Sequence, residues 1–336
     1  MEHLEHWTGH RPLLAGLWLV LFAVAARLAM ALPIGNLVLE QQPSGGILTI
    51  LTEVLAPQGV REETASQKFS QQERPPRIIE PEPEKISLSF TPLEADAIAI
   101  GGNADNSVDS ASLLTTPLKL EKTDGPTVLI VHTHTSEAYT PTSDSSYEAT
   151  DPYRTADPDY NMLRVGAEVA RVLKEQGIET VQDLAVNDAP EYIGAYERSF
   201  DRIEAQLAEH PSIQVVLDIH RDAVENAEGE PLRTSVEIDG EACAQLMLVV
   251  GTDQGGLTHP NWQENLSFAL KLQTLLEREN PGLCRHLSLR KERFNQHFTP
   301  CSLLVEVGSS GNTLDEALVA ARRLASSLAE LIQASQ

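Results

Sequence analysis

Hydrophobic runs alternate along the C-terminal two-thirds of the chain in two rhythms. Thr127 to Val131 (TVLIV) is a continuous β-branched and apolar run, the signature of a strand buried on both faces. Asn161 to Gln176 places Met162, Val165, Val169 and Val172 on one side at helical spacing, with Gly177 as a stop. Ile178 to Val181 reads as a returning strand, and Tyr192 to Glu209 as a second helix closed by Pro211. Ile213 to Ile219 (IQVVLDI) is another buried strand. Ser235 to Ile238 and Gln245 to Val250 read as an inserted strand pair around Asp239-Gly240. Asn261 to Glu279 predicts a helix, Leu303 to Val307 a third core strand, and Leu314 to Ile332 a closing helix. Alternation of this kind implies an α/β fold, with a mostly parallel sheet flanked by helices.

The N-terminal third is different. Leu13 to Leu32 is apolar over the length that crosses a bilayer, since about 20 residues at 1.5 Å each cover roughly 30 Å. Arg27 interrupts it near one end, where its long stem can snorkel to the interface. Either the run is a retained anchor, or it is a signal peptide with Ala29-Met30-Ala31 as cleavage box. Apolar character continues past Arg27 for a full span, which favours the anchor. The expected layout is a short cytoplasmic tail (1–11), a transmembrane anchor (12–32), an extracytoplasmic linker (33–120) and a catalytic domain (121–336). The linker contains QQERPPRIIEPEPEK, which cannot bury enough apolar surface to offset chain entropy. Ile86 to Phe90 is a candidate strand within it.

Composition narrows the partners. A formal net charge of −24 excludes a phosphate-neutralising surface, and with it a nucleic-acid partner. The three cysteines, Cys243, Cys284 and Cys301, are widely spaced without a CxxC pair, so they form neither a zinc knuckle nor a dense disulfide scaffold.

Chemistry gathers where strands end. TVLIV runs into His132-Thr133-His134-Thr135-Ser136-Glu137, IQVVLDI into His220-Arg221-Asp222, and LLVEVG carries Glu306. Ligands of open α/β sheets sit beyond the carboxyl ends of strands, so the three sets are expected on one rim. Two imidazoles and a carboxylate with a vacant fourth position are the usual protein ligands of a hydrolytic Zn²⁺. His132, His134, Glu137 and His220 offer that set, and Glu306 remains as general acid and base. An unpaired carboxylate between Val305 and Val307 is costly to bury, which calls for a metal, an arginine or a catalytic role. Asp218 orients a ligand or merely ends a strand. His259 and His286 read as surface residues, and His210 as a helix end.

The segments GPTVLIVHTHTSEAYTP, YNMLRVGAEVARVL, SIQVVLDIHRDA, HPNWQENLSFALKLQ and RFNQHFTPCSLLVEVGSSGNTLDEAL resemble the stage II sporulation protein P family over about Gly125 to Ala325. Members resemble the broader zinc N-acetylmuramoyl-L-alanine amidases. The resemblance implies a zinc amidase-like fold and cleavage of the bond between N-acetylmuramic acid and L-alanine in peptidoglycan, with an additional cross-link endopeptidase activity. It also implies septal and engulfment wall remodelling during sporulation, at the cell membrane, beside the sporulation proteins D and M. Carried over, His220 and Glu137 are zinc ligands and Glu306 the catalytic carboxylate. The amidase pattern favours His134 over His132 as the first ligand, with the other imidazole left outside the ligand set. Arg221, Arg293, Asn295, Gln296 and His297 match family motifs, as substrate-binding residues or as loop scaffolding. A non-catalytic wall-binding scaffold and a stem-peptide metallopeptidase are the rival functions.

Overall fold

The computed structural model describes residues 87–336. The expected anchor (12–32) and most of the expected linker lie outside the described residues. Among the described residues, no helix is long and apolar enough to cross a membrane.

Strands β2 (Val128–Val131), β4 (Val215–Asp222), β7 (Leu246–Gly251) and β9 (Cys301–Ser309) form the middle of a seven-stranded sheet. β2 and β7 carry almost unbroken apolar runs, β4 opens on one (Val215 to Leu217), and β2 is buried at every position, because helices and loops cover both faces. Strands β1 (Ile100–Gly102), β3 (Thr180–Gln182) and β8 (Leu287–Arg290) complete it in the order β1-β8-β7-β9-β4-β2-β3. All neighbours are parallel except β7 and β9, which run antiparallel. The mostly parallel α/β reading of the sequence is therefore correct in kind.

Helix α3 (Met162–Glu175) starts where the Asn161 side chain accepts a hydrogen bond from Leu163 N, and ends before Gly177, whose φ of +81° suits glycine. Helices α3, α5 (Trp262–Glu279) and α6 (Leu314–Ser335) cover one face of the sheet and share the main core. A capping box between Thr313 and Glu316 opens α6. On the other face, α4 (Ala195–Glu209) covers only β2 and β4, burying Leu129, Val131 and Val216 against Ile203. Met247, Val249 and Leu304 on that face meet only the loop carrying Phe294. The order of strand addition reverses at β2: β3 lies on one side of it and β4 on the other. The carboxyl end of that switch is where open sheets receive ligands.

The structure departs from the sequence reading at identifiable places. Ser235 to Ile238 (β5) pairs with Glu241 to Ala244 (β6), immediately across the turn where Asp239 and Gly240 both have positive φ. The segment expected as its partner, Gln245 to Val250, instead supplies β7, whose side chains are all buried and belong in the main sheet. Strand β8 was not expected. Residues 87–90 form no strand, and helix α1 (Pro92–Asp96) follows them. Residues 87–120 fall in the stretch read as linker, yet β1 pairs with β8, and α2 (Ser110–Thr115) packs on α5. Helix α4 begins three residues later than expected, because Gly194 takes a left-handed conformation. The three cysteines are free.

Candidate functional site

The carboxyl ends of β2, β4 and β9 bring the expected residues together. His220 and Glu306 are register partners on adjacent strands, on the same face as Leu304 and Val216. The turn after β2 brings Glu137 Oε2 to 3.4 Å from His220 Nδ1. It also sets the His134 ring edge-on to the His220 ring, centroids 5.2 Å apart.

The two histidines of the turn have different surroundings. His132 is fully buried; Nδ1 lies 3.2 Å from Ile219 O and Nε2 3.0 Å from the Gln182 amide nitrogen. Both nitrogens are satisfied if Nδ1–H donates and Nε2 accepts, which is the neutral form. Burial pushes its pKa down to about 4, in agreement. His134 is also buried, but its Nδ1 has no hydrogen-bond partner. Tyr192 stacks on its ring at 4.4 Å, with its hydroxyl 3.0 Å from Nε2, and Tyr196 meets it edge-on at 5.6 Å.

His220 sits between two carboxylates. Burial alone would lower its pKa, but Asp218 and Glu137 outweigh burial and raise it well above 6.5. Asp218 is itself fixed by Thr133, accepting from its N at 2.8 Å and from its hydroxyl at 2.6 Å. Its Oδ1 stands 2.9 Å from His220 Nε2, a charge contact whose angles fall short of a hydrogen bond. Glu137 feels burial upward, but contact with His220 and the charge of Arg221 hold its pKa at about 2. Arg154 completes the rim, bridging Glu137 at 3.3 Å and Asp188 at 2.9 Å.

Glu306 is the opposite case. Its Oε2 is sealed from water with no hydrogen-bond partner, and burial, joined by the charges of Glu137 and Asp222, pushes its pKa up to about 8. An acid with a raised pKa within the same cluster as an acid held at about 2 is the arrangement that separates proton carrier from ligand.

His134, Glu137 and His220 suit a zinc ion by donor type and by one distance. Two ligands on a tetrahedral ion with bonds of about 2.0–2.2 Å stand roughly 3.4 Å apart, and His220 Nδ1 and Glu137 Oε2 are 3.4 Å apart. The unpartnered His134 Nδ1 would supply a third donor, and Asp218 beside His220 would be the carboxylate that such ligands usually have behind them. Among the described residues, no group of three or more His, Cys, Asp or Glu already closes on a common ion position.

The remaining expected residues divide. Arg221 is buried, donating from Nε to Ala138 O at 2.9 Å and from Nη2 to Tyr153 O at 2.8 Å. Gln296 uses both amide atoms, accepting from Gly251 N at 2.7 Å and donating to Val249 O at 2.9 Å. Asn295 donates to Tyr196 O at 2.8 Å and, with a φ of +57°, shapes the turn after β8. His297 lies against Phe200 and Phe298. Arg293 lines a groove of about 570 Å³ that Tyr196 also lines. His259, expected on the surface, is instead 1% exposed, because the loop before α5 folds its ring inward. Tyr192, Tyr196, Arg154 and Gln182 carried no signal in the sequence; each acts through a neighbour that is distant along the chain.

The sequence model of the stage II sporulation protein P family matches residues 53–329. The chain is 28% identical over 226 residues to the stage II sporulation protein P of Bacillus subtilis (strain 168), covering 64% of this chain and 53% of that protein. The chain thus spans about half the length of that curated relative. Among solved structures, an N-acetylmuramoyl-L-alanine amidase of Nostoc punctiforme is similar at 17% identity and a TM-score of 0.34, over 62% of this chain and 97% of that chain. An N-acetylmuramyl-L-alanine amidase of Mycobacterium smegmatis is similar at 15% identity and a TM-score of 0.36, over 63% and 99%. Scores this low carry no argument about activity.

Proposed function

The chain belongs to the stage II sporulation protein P family, and from that premise we propose that it is a zinc-dependent peptidoglycan hydrolase cleaving the amide between N-acetylmuramic acid and L-alanine. The observation that supports this most is the meeting of an unpartnered imidazole nitrogen, a carboxylate held ionised and a second imidazole beside one carboxyl of raised pKa. Few purely structural clusters leave so many buried polar atoms unsatisfied, because each costs about 1–3 kcal/mol.

In this reading His134, Glu137 and His220 hold the zinc, which when bound polarises the scissile carbonyl and eases the ionisation of water. Asp218 keeps His220 in place, and His132 supports the turn from beneath without joining the ligand set. Glu306 accepts the proton of the attacking water and delivers it to the departing amide nitrogen. Its position one strand from His220, on the same face, suits that task. The apolar run at residues 12–32 would hold the chain in the cell membrane with the catalytic domain outside. There it would act in sporulation wall remodelling beside the family's D and M proteins.

Mass spectrometry of purified wall fragments digested by the full chain tests the proposal. Peptides with a free L-alanine amino group and sugars with a bare lactyl carboxyl are the expected products. Shortened stem peptides with the lactyl amide intact would show a peptidase instead, and an unchanged digest would show a scaffold.

A further inference from the structure

Beside the catalytic cluster runs a groove of about 570 Å³, walled by Tyr196, Leu257 and Phe294, with Lys291 and Arg293 along it. In a chain of net charge −24 these cations stand out. Glu292 between them is already engaged by Arg290 at 3.2 Å and by Asn103 at 3.2 Å. Among the described residues, the Arg293 guanidinium makes one hydrogen bond, from Nη1 to Thr258 O at 3.2 Å, and its buried Nε has no partner. A half-buried guanidinium without a counter-ion carries a desolvation cost that an anion would relieve. Burial holds its pKa below the usual range, and no acidic neighbour opposes that. His297 Nδ1, close enough for Arg293 to depress the imidazole's pKa, is unpartnered as well.

We infer that this groove is a subsite for an extended peptide, with Arg293 receiving a free carboxylate on it. The inference rests on the proposed hydrolase reading for which bond is cleaved. Ring contacts join the groove to the ligand cluster. Tyr196 touches His134 at 5.6 Å and Phe294 at 5.9 Å, so Phe294, next to Arg293 in the chain, is two ring contacts from His134. An extended chain advances about 3.3–3.6 Å per residue, so a peptide of about three residues covers those two ring spacings. The rings of Tyr196 and Phe294 supply apolar walls for the residues between. Tight loop packing preserves the groove, since a Cβ on Gly255 would stand 2.5 Å from Lys291 O.

The test compares two N-lactyl tripeptides beginning with L-alanine, one ending in a free carboxylate and one in a carboxamide, by calorimetric binding to the full chain in chelator, where the lactyl amide is left uncleaved. Wild type is expected to bind the acid about 10-fold or more tightly than the amide, and Arg293→Gln to bind both alike at the amide's affinity. Arg293→Lys should keep part of the preference. Equal wild-type affinities, no binding of either, or a preference surviving in Arg293→Gln would overturn the inference. The wild-type comparison decides even if a variant misfolds. Acid preference without any hydrolysis of wall fragments would instead sink the proposed function and leave the subsite standing.

Discussion

Gly166→Ala is a substitution whose ordinary sign the structure reverses. Alanine in the middle of a helix normally stabilises by about 1 kcal/mol over glycine. In α3, however, a Cβ on Gly166 would stand 2.5 Å from both His132 Nε2 and Gln182 Nε2, and 2.6 Å from His132 Cε1. Neither side chain can retreat cheaply. His132 is fully buried and tied by Nδ1 to Ile219 O, and the Gln182 amide also donates to Leu163 O at 2.9 Å. Either α3 lifts from the sheet or the His132–Gln182 bond breaks. Overpacking of this kind costs about 1–3 kcal/mol and the lost bond about 1 kcal/mol, so the net expectation is a loss of about 1–3 kcal/mol. Urea unfolding of the full chain, read as a lowered midpoint at unchanged slope, measures it. A double-mutant cycle isolates the cause: in a His132→Ala background, where Gln182 can move into the vacated space, the same alanine should cost markedly less than in wild type. Wild-type stability or better in Gly166→Ala alone would refute the wedging of His132, and with it the account of why His132 supports the turn rather than binding metal.

The remaining predictions concern charge. Glu306→Gln should abolish turnover while retaining zinc, and an active variant would rule out the proton-carrying role. In metal-free protein the same change should stabilise increasingly above about pH 4.5: the Glu306 carboxyl keeps its proton up to about 8 when folded, so stability falls as pH rises from about 4.5 to 8 and glutamine removes that loss. Melting temperatures in chelator at pH 4.5 and 8.5 would read it, with the variant's advantage small at the lower value and full at the higher. Glu168 is the reverse case, a hub for Arg164, Arg171 and Arg322, with contact to Arg171 lowering its pKa to about 2. Its contribution is complete above about 4.5 and is lost as pH falls towards 2. Because the arginines are 35–46% exposed, Glu168→Gln should cost only about 1–2 kcal/mol at pH 7 and almost nothing at pH 2 in urea unfolding.

The sequence exposed those features whose cause is local. β2, β4 and β9 are legible because a strand covered on both faces carries a run of apolar residues, and α3 because its cap, stripe and stop lie within one stretch. The same logic brought His134, Glu137, His220 and Glu306 to one rim, since each ends or closely follows such a strand. What escaped depends on partners far along the chain. β8 (LSLR) is short and half polar, and becomes a strand only because β7 and β1 flank it. β7 was paired with the wrong neighbour, since nothing in its residues distinguishes a hairpin strand from one inserted beside β9. The difference between His132 and His134 was equally hidden, because it rests on Gln182, Ile219 and Gly166 occupying the first imidazole and leaving the second with a free nitrogen.

Elemental analysis of purified full-length protein, for wild type and for the His132→Ala and His134→Ala variants, reaches the core of this account. About one zinc per wild-type chain is expected, kept by folded His132→Ala and lost by His134→Ala. A zinc-free wild type, or metal that leaves with His132 and stays with His134 removed, would contradict it.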